Sequence, residues 1–182
     1  MNTAARPDRY NRASIALHWL MLLLLVAIYA AIELREFFPK GSDTREAFKS
    51  WHFMLGLAAF VLVWIRIILR LALPAPAGGG APSPWQRLLA DATHLALYVF
   101  MIGMPVAGWL ILSADGKPIP FFGIELQPLT GRNERLAEQV EELHELGGTI
   151  GYWLIGLHAA AALFHHYLLR DGTLARMLPA RA

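Results

Sequence analysis

A chain of 182 residues with 56% hydrophobic and only 16% charged side chains lies outside the habit of soluble domains, and its formal charge of +2 comes with no basic, aromatic-interleaved stripe, so nucleic acid is not expected as a partner. The absence of cysteine excludes disulfides, iron–sulfur ligation and covalent haem attachment together. The predicted fold class is all-α: an integral membrane, antiparallel four-helix bundle in a single domain over residues 1–182, with the lipid bilayer as its solvent.

Four apolar stretches are long enough, at about 1.5 Å per residue, to cross a hydrocarbon core of about 30 Å. They lie at about residues 15–32, 53–73, 93–112 and 146–169. The first follows Arg6, Arg9 and Arg12, as a signal peptide would. Its apolar run is too long, contains His18 and Trp19, and lacks a small-residue cleavage site, so it is expected to stay attached. REFFPKGSDTRE joins the first two spans, and LPAPAGGGAPSP, broken by prolines and glycines, joins the second and third. A longer segment from residue 113 to about 142 leads to the fourth span; in it Asn133 is placed to cap a helix carrying Leu136, Val140 and Leu143 on one face.

Basic residues set the orientation. The N-terminal arm, the 73–84 link and the C-terminal tail gather nine of them, Arg66, Arg70 and Arg170 included, against three acids. That side is expected to be cytoplasmic, with both termini there. The opposite side carries seven basic residues against eleven acidic ones and is expected to be periplasmic.

Ionisable groups inside a membrane mark functional sites by default, and seven histidines need placing. Helical rise puts His52 about 5 Å from the outer edge with His144 at that edge, and puts His18 and His158 about 24 and 20 Å deep. Two pairs at two levels result, one joining the second and fourth helices and one joining the first and fourth. A facing histidine pair is the ligand set of a six-coordinate haem b, so two non-covalent, bis-histidine haems are expected. Gly148 and Gly151, on the face between His144 and His158, and Gly56, four residues after His52, leave room for a porphyrin edge; close helix contact is the alternative use of such glycines. Other readings of the histidines are interhelical hydrogen bonding or zinc, although zinc sites gather three or four ligands at one point. His94 and His165, with His166 beside the latter, form a third level about 30 Å from the outer edge. They suit a quinone pocket, an interfacial anchor, or a swapped ligand set for the inner haem. Arg66 is a topology marker that also suits a haem propionate.

SIALHWL, KSWHFMLGLAAFVLVWIRIILRL, FMIGMPVAGW and LHELGGTIGYWLIGLHAAAALFHHYLLRDGTLARMLP resemble the short, four-helix members of the bacterial cytochrome b561 family over nearly the whole chain. The pattern is also similar to the membrane cytochrome b subunits of formate dehydrogenases and nickel–iron hydrogenases. The resemblance implies a bacterial inner-membrane location, an outer haem on His52 and His144, an inner haem on His18 and His158, and electron exchange with ubiquinone. It further implies one-electron oxidation of periplasmic superoxide, for which Lys49, Lys117, Arg132 and Arg135 are the candidate steering cations on a net acidic face. The alternatives are a quinone-linked conduit serving a periplasmic redox protein and, in another class, a membrane anchor or carrier without redox chemistry.

Overall fold

The computed structural model describes residues 8–76 and 83–179. Gly78, Gly79 and Gly80 of the second linker, and Arg6 and Arg181, lie outside the described residues. Four helices dominate: α1 (Arg12–Leu34), α2 (Asp43–Ala72), α3 (Pro84–Asp115) and α4 (Glu134–Phe164), the last continuing as a π-helical turn over His165–Leu169. All four are long and apolar enough to cross a membrane.

Each helix starts where the sequence supplies a cap. Asn11 Oδ1 accepts from the Ala13 amide at 2.9 Å and Asn133 Oδ1 from that of Leu136 at 3.1 Å. Ser42 Oγ accepts more loosely from Arg45 N at 3.4 Å. Ser83 and Gln86 form a capping box ahead of α3. That helix therefore begins at Pro84, about nine residues before the apolar span suggests, because proline at the first helical position loses no hydrogen bond. Midway, Pro105 withholds the amide that the Met101 carbonyl would take.

Backbones pack closely in α1 against α2, α3 against α4 and α2 against α3, whereas α4 barely approaches α1 or α2 at backbone level. A seam thus runs between the α1–α2 hairpin and α4. Leu17, Met21, Ala59, Val63 and Met101 form one core cluster. Leu57, Leu112 and Ile119 form another, beneath a small hairpin of β1 (Pro120–Phe121) and β2 (Ile124–Glu125). Outward, Leu71 and Trp153 are 83% and 78% exposed, which a lipid surround explains.

The bundle has a loop end, holding segments 35–42 and 113–133, and a terminal end, holding the described parts of both termini. At the loop end Arg45 is buried and acts as a clamp. Its Nη1 donates to the carbonyls of Arg35 and Phe38 at 3.0 and 3.1 Å, and its Nη2 to both oxygens of Glu36 at 2.8 and 3.0 Å. Ser113 Oγ ties the second loop, donating to Trp109 O at 2.7 Å and accepting from Leu129 N at 3.0 Å. At the terminal end the C-terminal segment is strapped to α1: Trp19 Nε1 donates to Met177 O at 2.7 Å, Tyr10 N to Arg176 O at 3.2 Å, and Arg9 Nη1 to Pro179 O at 2.8 Å.

Arg45→Ala removes every bond of the loop-end clamp and leaves two carbonyls without their donor, at an expected cost of about 1–3 kcal/mol. Arg45→Lys does not restore it, since an ammonium has no planar fork. Thermal unfolding in detergent checks this: both variants melt below the parent, and an unchanged midpoint in Arg45→Ala contradicts the clamp.

Candidate functional site

The seam is where the histidines meet. His52 of α2 and His144 of α4 face one another with ring centroids 6.2 Å apart at 78°. At the next level His18 of α1 and His158 of α4 repeat the arrangement at 6.2 Å and 71°. The two α4 residues are fourteen positions apart, about 21 Å at helical rise, and close to one face. Two imidazoles each bound at about 2 Å to a metal ion between them have ring centroids about 6 Å apart. Both pairs fit an axial bis-histidine set on that measure.

Further features of the upper pair suit a bound group. His52 Nδ1 lies 3.0 Å from Ile28 O, an N–H donation that leaves Nε2 available as a ligand. His144 Nδ1 is buried and has no hydrogen-bond partner among the described residues. A cavity of about 360 Å³ contains both rings, along with Gly56, Phe100, Pro105, Gly108 and Gly148. A Cβ added at Gly56 or Gly148 would meet nothing within 4 Å, and one at Gly108 would lie 3.6 Å from His144 Cε1.

Gly151 differs from its sequence-based expectation. A Cβ there would overlap the Tyr29 hydroxyl and come within 2.5 Å of the Phe100 ring, so its missing side chain admits those two rings and does not open on the cavity. Helical spacing placed Gly151 on the right face but carried no information about which neighbour fills it. Tyr29 and Tyr152, unremarked in the sequence, bridge α1 and α4 across the seam. Their rings stand 4.2 Å apart, Tyr29 Oη donates to Gly148 O at 2.7 Å, and Tyr152 Oη donates to Glu33 at 2.8 Å.

The expected cationic funnel is not assembled. Lys49 pairs with Glu46, Lys117 with Asp115 and Arg132 with Glu134, each at 2.7–2.8 Å, while Arg135 is exposed. None of the four lines the cavity, whose charged residues are Glu33, Arg35, Glu36, Glu141 and Glu145. Local acids within three positions neutralise the three paired cations, and Arg35, the lining cation, is itself tied to Glu36 at 2.9 Å.

At the terminal end His94 of α3 approaches His158 at 5.5 Å, making a neighbour of the lower pair. Arg66 lies within electrostatic range of His18, His94 and His158. His165 is not drawn to His158; its Nδ1 pairs with Asp171 Oδ2 at 2.5 Å. His166 stacks edge-on against Tyr167. Partial burial pushes the Asp171 carboxyl up, but hydrogen bonds from His165 and Thr173 outweigh it and hold the carboxyl down at about 2. Among the described residues no group of three or more histidine and carboxylate side chains converges as a metal site; the seam histidines meet edge-on, His52 with His144 and His18 with His158, with His94 a further neighbour of His158.

Comparison with known proteins places the chain in a family. The family described as prokaryotic cytochrome b561 matches residues 9–180. The chain is 37% identical to cytochrome b561 homolog 1 of Escherichia coli K12 over 174 residues, covering 96% of this chain and 99% of that protein. It is 38% identical to the probable superoxide oxidase CybB of Yersinia pestis, covering 94% and 96%, and 32% identical to cytochrome b561 homolog 2 of Escherichia coli K12, covering 98% and 95%. With its four membrane-capable helices and a match over nearly its whole length, the chain belongs to the prokaryotic cytochrome b561 family of membrane electron-transfer proteins carrying b-type haem.

Proposed function

We propose that the protein holds two b haems, one between His52 and His144 and one between His18 and His158, and passes single electrons across a bacterial inner membrane from periplasmic superoxide to ubiquinone. The observation that carries this reading is the repeat, at two levels of a single seam, of one histidine pair across the gap with ring centroids 6.2 Å apart and planes 71–78° to each other. When bound, the haems supply the one-electron chemistry. The chain's own residues would hold them at a fixed spacing along α4, through His52 and His144 at one level and His18 and His158 at the other, and exclude water with the core around Met21 and Val63. Superoxide would give up one electron at the loop-end mouth and leave as dioxygen. Two such events, with two protons from the terminal side, make one quinol in the region of His94, His165 and His166. The orientation with both termini cytoplasmic follows from the arginines gathered there. Arg66, close to the lower pair and without an acidic partner among the described residues, suits a haem propionate.

Superoxide as donor is supported by the likeness to the Yersinia protein named a probable superoxide oxidase. A second reading, a conduit for a basic periplasmic redox protein, is favoured by the cavity rim, where four glutamates face one arginine. The two readings separate on ionic strength. An anion approaching a net acidic mouth reacts faster as salt screens the repulsion, whereas a cationic protein reacts more slowly. Stopped-flow reduction of the haems by superoxide at low and at moderate salt is expected to show a rate that holds or rises; slow reduction at all salt concentrations favours the protein donor.

His52→Ala and His144→Ala are each expected to leave one haem per chain by pyridine haemochrome assay while the lower one persists, and retention of two haems contradicts the upper assignment. Gly148→Leu, which fills open space in the cavity, is expected to lose the same haem. Gly151→Leu acts differently, lowering thermal stability by about 1–3 kcal/mol through overpacking against Tyr29 and Phe100. Haem content and melting midpoint, measured together on both variants, check the contrast.

A further inference from the structure

Outside the seam, the terminal end contains a second arrangement of titratable groups. His165 opens a π-helical turn, a local widening of the helix that is costly to keep and recurs at functional sites. The turn ends at Arg170, which adopts a left-handed conformation with φ 52° and turns the chain back. That reversal brings Asp171 onto His165 Nδ1. Asp171 is held in turn: its Oδ1 accepts from Thr173 N at 2.9 Å, its carbonyl from Arg176 Nη1 at 3.2 Å, and Arg176 Nη2 reaches Thr173 Oγ1 at 3.1 Å. The next residues are strapped to α1 through Trp19, the neighbour of His18, and through Tyr10 and Arg9. A short C-terminal segment of nine residues, 171–179, thus fixes the orientation of one imidazole at the terminal end.

We propose that Asp171 is a positioning residue for His165 in the proton supply to quinone at the terminal end, and that the strap of residues 171–179 exists to hold it there. This rests on the quinone reading above. The Asp171 carboxylate is ionised throughout the neutral range and accepts hydrogen bonds only, so the His165 proton sits on Nδ1 and Nε2 is the exchanging nitrogen. Nε2 takes a proton from the aqueous side, and the carboxylate faces the positive charge this puts on the ring. The same Nε2–H is then given to a quinone carbonyl oxygen as that oxygen gains negative charge. Two such transfers, matched by two electrons from the one-electron donor at the loop end, convert quinone to quinol and return His165 to its neutral form. His166, beside Tyr167 and without a carboxylate partner among the described residues, does not have this orientation fixed. The choice between the two adjacent histidines thus falls on His165.

The test uses the haem-loaded, full-length protein with Asp171→Asn and Asp171→Glu, and decylubiquinol as the probe. Asp171→Asn is expected to slow quinol-driven haem reduction about 10- to 100-fold, the range in which partners that orient a working histidine act. Haem content, the dithionite-reduced spectrum and the quinol KM stay at parent values, and Asp171→Glu recovers most of the rate. A readout free of turnover accompanies it: ¹⁵N-histidine spectra, with His165→Gln as the assignment control, show an Nδ1-protonated His165 ring in the parent. A parent protein inert to quinol overturns the quinone reading beneath the proposal. A reactive parent with an equally fast Asp171→Asn, a glutamate variant no faster than the asparagine one, or an Nε2-protonated His165 overturns the role of Asp171 alone.

Discussion

Two histidines on one face of α4, fourteen residues apart, set the terms for the rest of the bundle. Each is a polar ring in an apolar helix and needs a partner across the seam. The partners come from different helices, His52 from α2 and His18 from α1. Both can reach α4 only because the α1–α2 hairpin packs tightly within itself and stands off from α4 at backbone level. Large side chains and small residues then share the gap. Tyr29 and Phe100 close it at Gly151, and Gly56, Gly108 and Gly148 keep it open in the cavity around His52 and His144. A seam held apart by tyrosines and kept clear by glycines is a mould for a flat, mostly apolar group.

The ends of the seam are chemically unlike. The loop end is rigid, clamped by Arg45 and Ser113, and its mouth is acidic. The terminal end gathers His94, Arg66 and the His165–Asp171 pair, groups suited to protons and to an anionic or carbonyl oxygen. One-electron exchange needs no proton at its mouth, whereas a two-electron, two-proton acceptor needs a proton donor at its own. That asymmetry gives the proposed direction of flow a physical basis beyond the positive-inside bias.

Much of the site was legible in the sequence because a helix converts residue number into depth. The rise per residue alone pairs His52 with His144 and His18 with His158, and the structure sets each pair at the same 6.2 Å. Depth says nothing of azimuth between helices. His94 and His165 share a level, yet one ring turns to His158 and the other to Asp171. Gly151 and Gly148 share a face, yet one packs and one lines the cavity. Lys49, Lys117 and Arg132 stand apart from the cavity, each paired with an acid within three positions, a pairing that the local sequence displays and the overall charge of a side does not. Arg45 looked like one more outer cation, and only the turn at residues 35–38 reveals it as the residue that folds that corner.

The central claim is that two histidine pairs in one seam each hold a haem through both axial positions. Haem b counted per chain on quantified protein, together with low-temperature electron paramagnetic resonance of the oxidised form, tests it most directly. The account predicts two haems per chain, both low-spin; a single haem, or a high-spin iron with an open axial position, contradicts it.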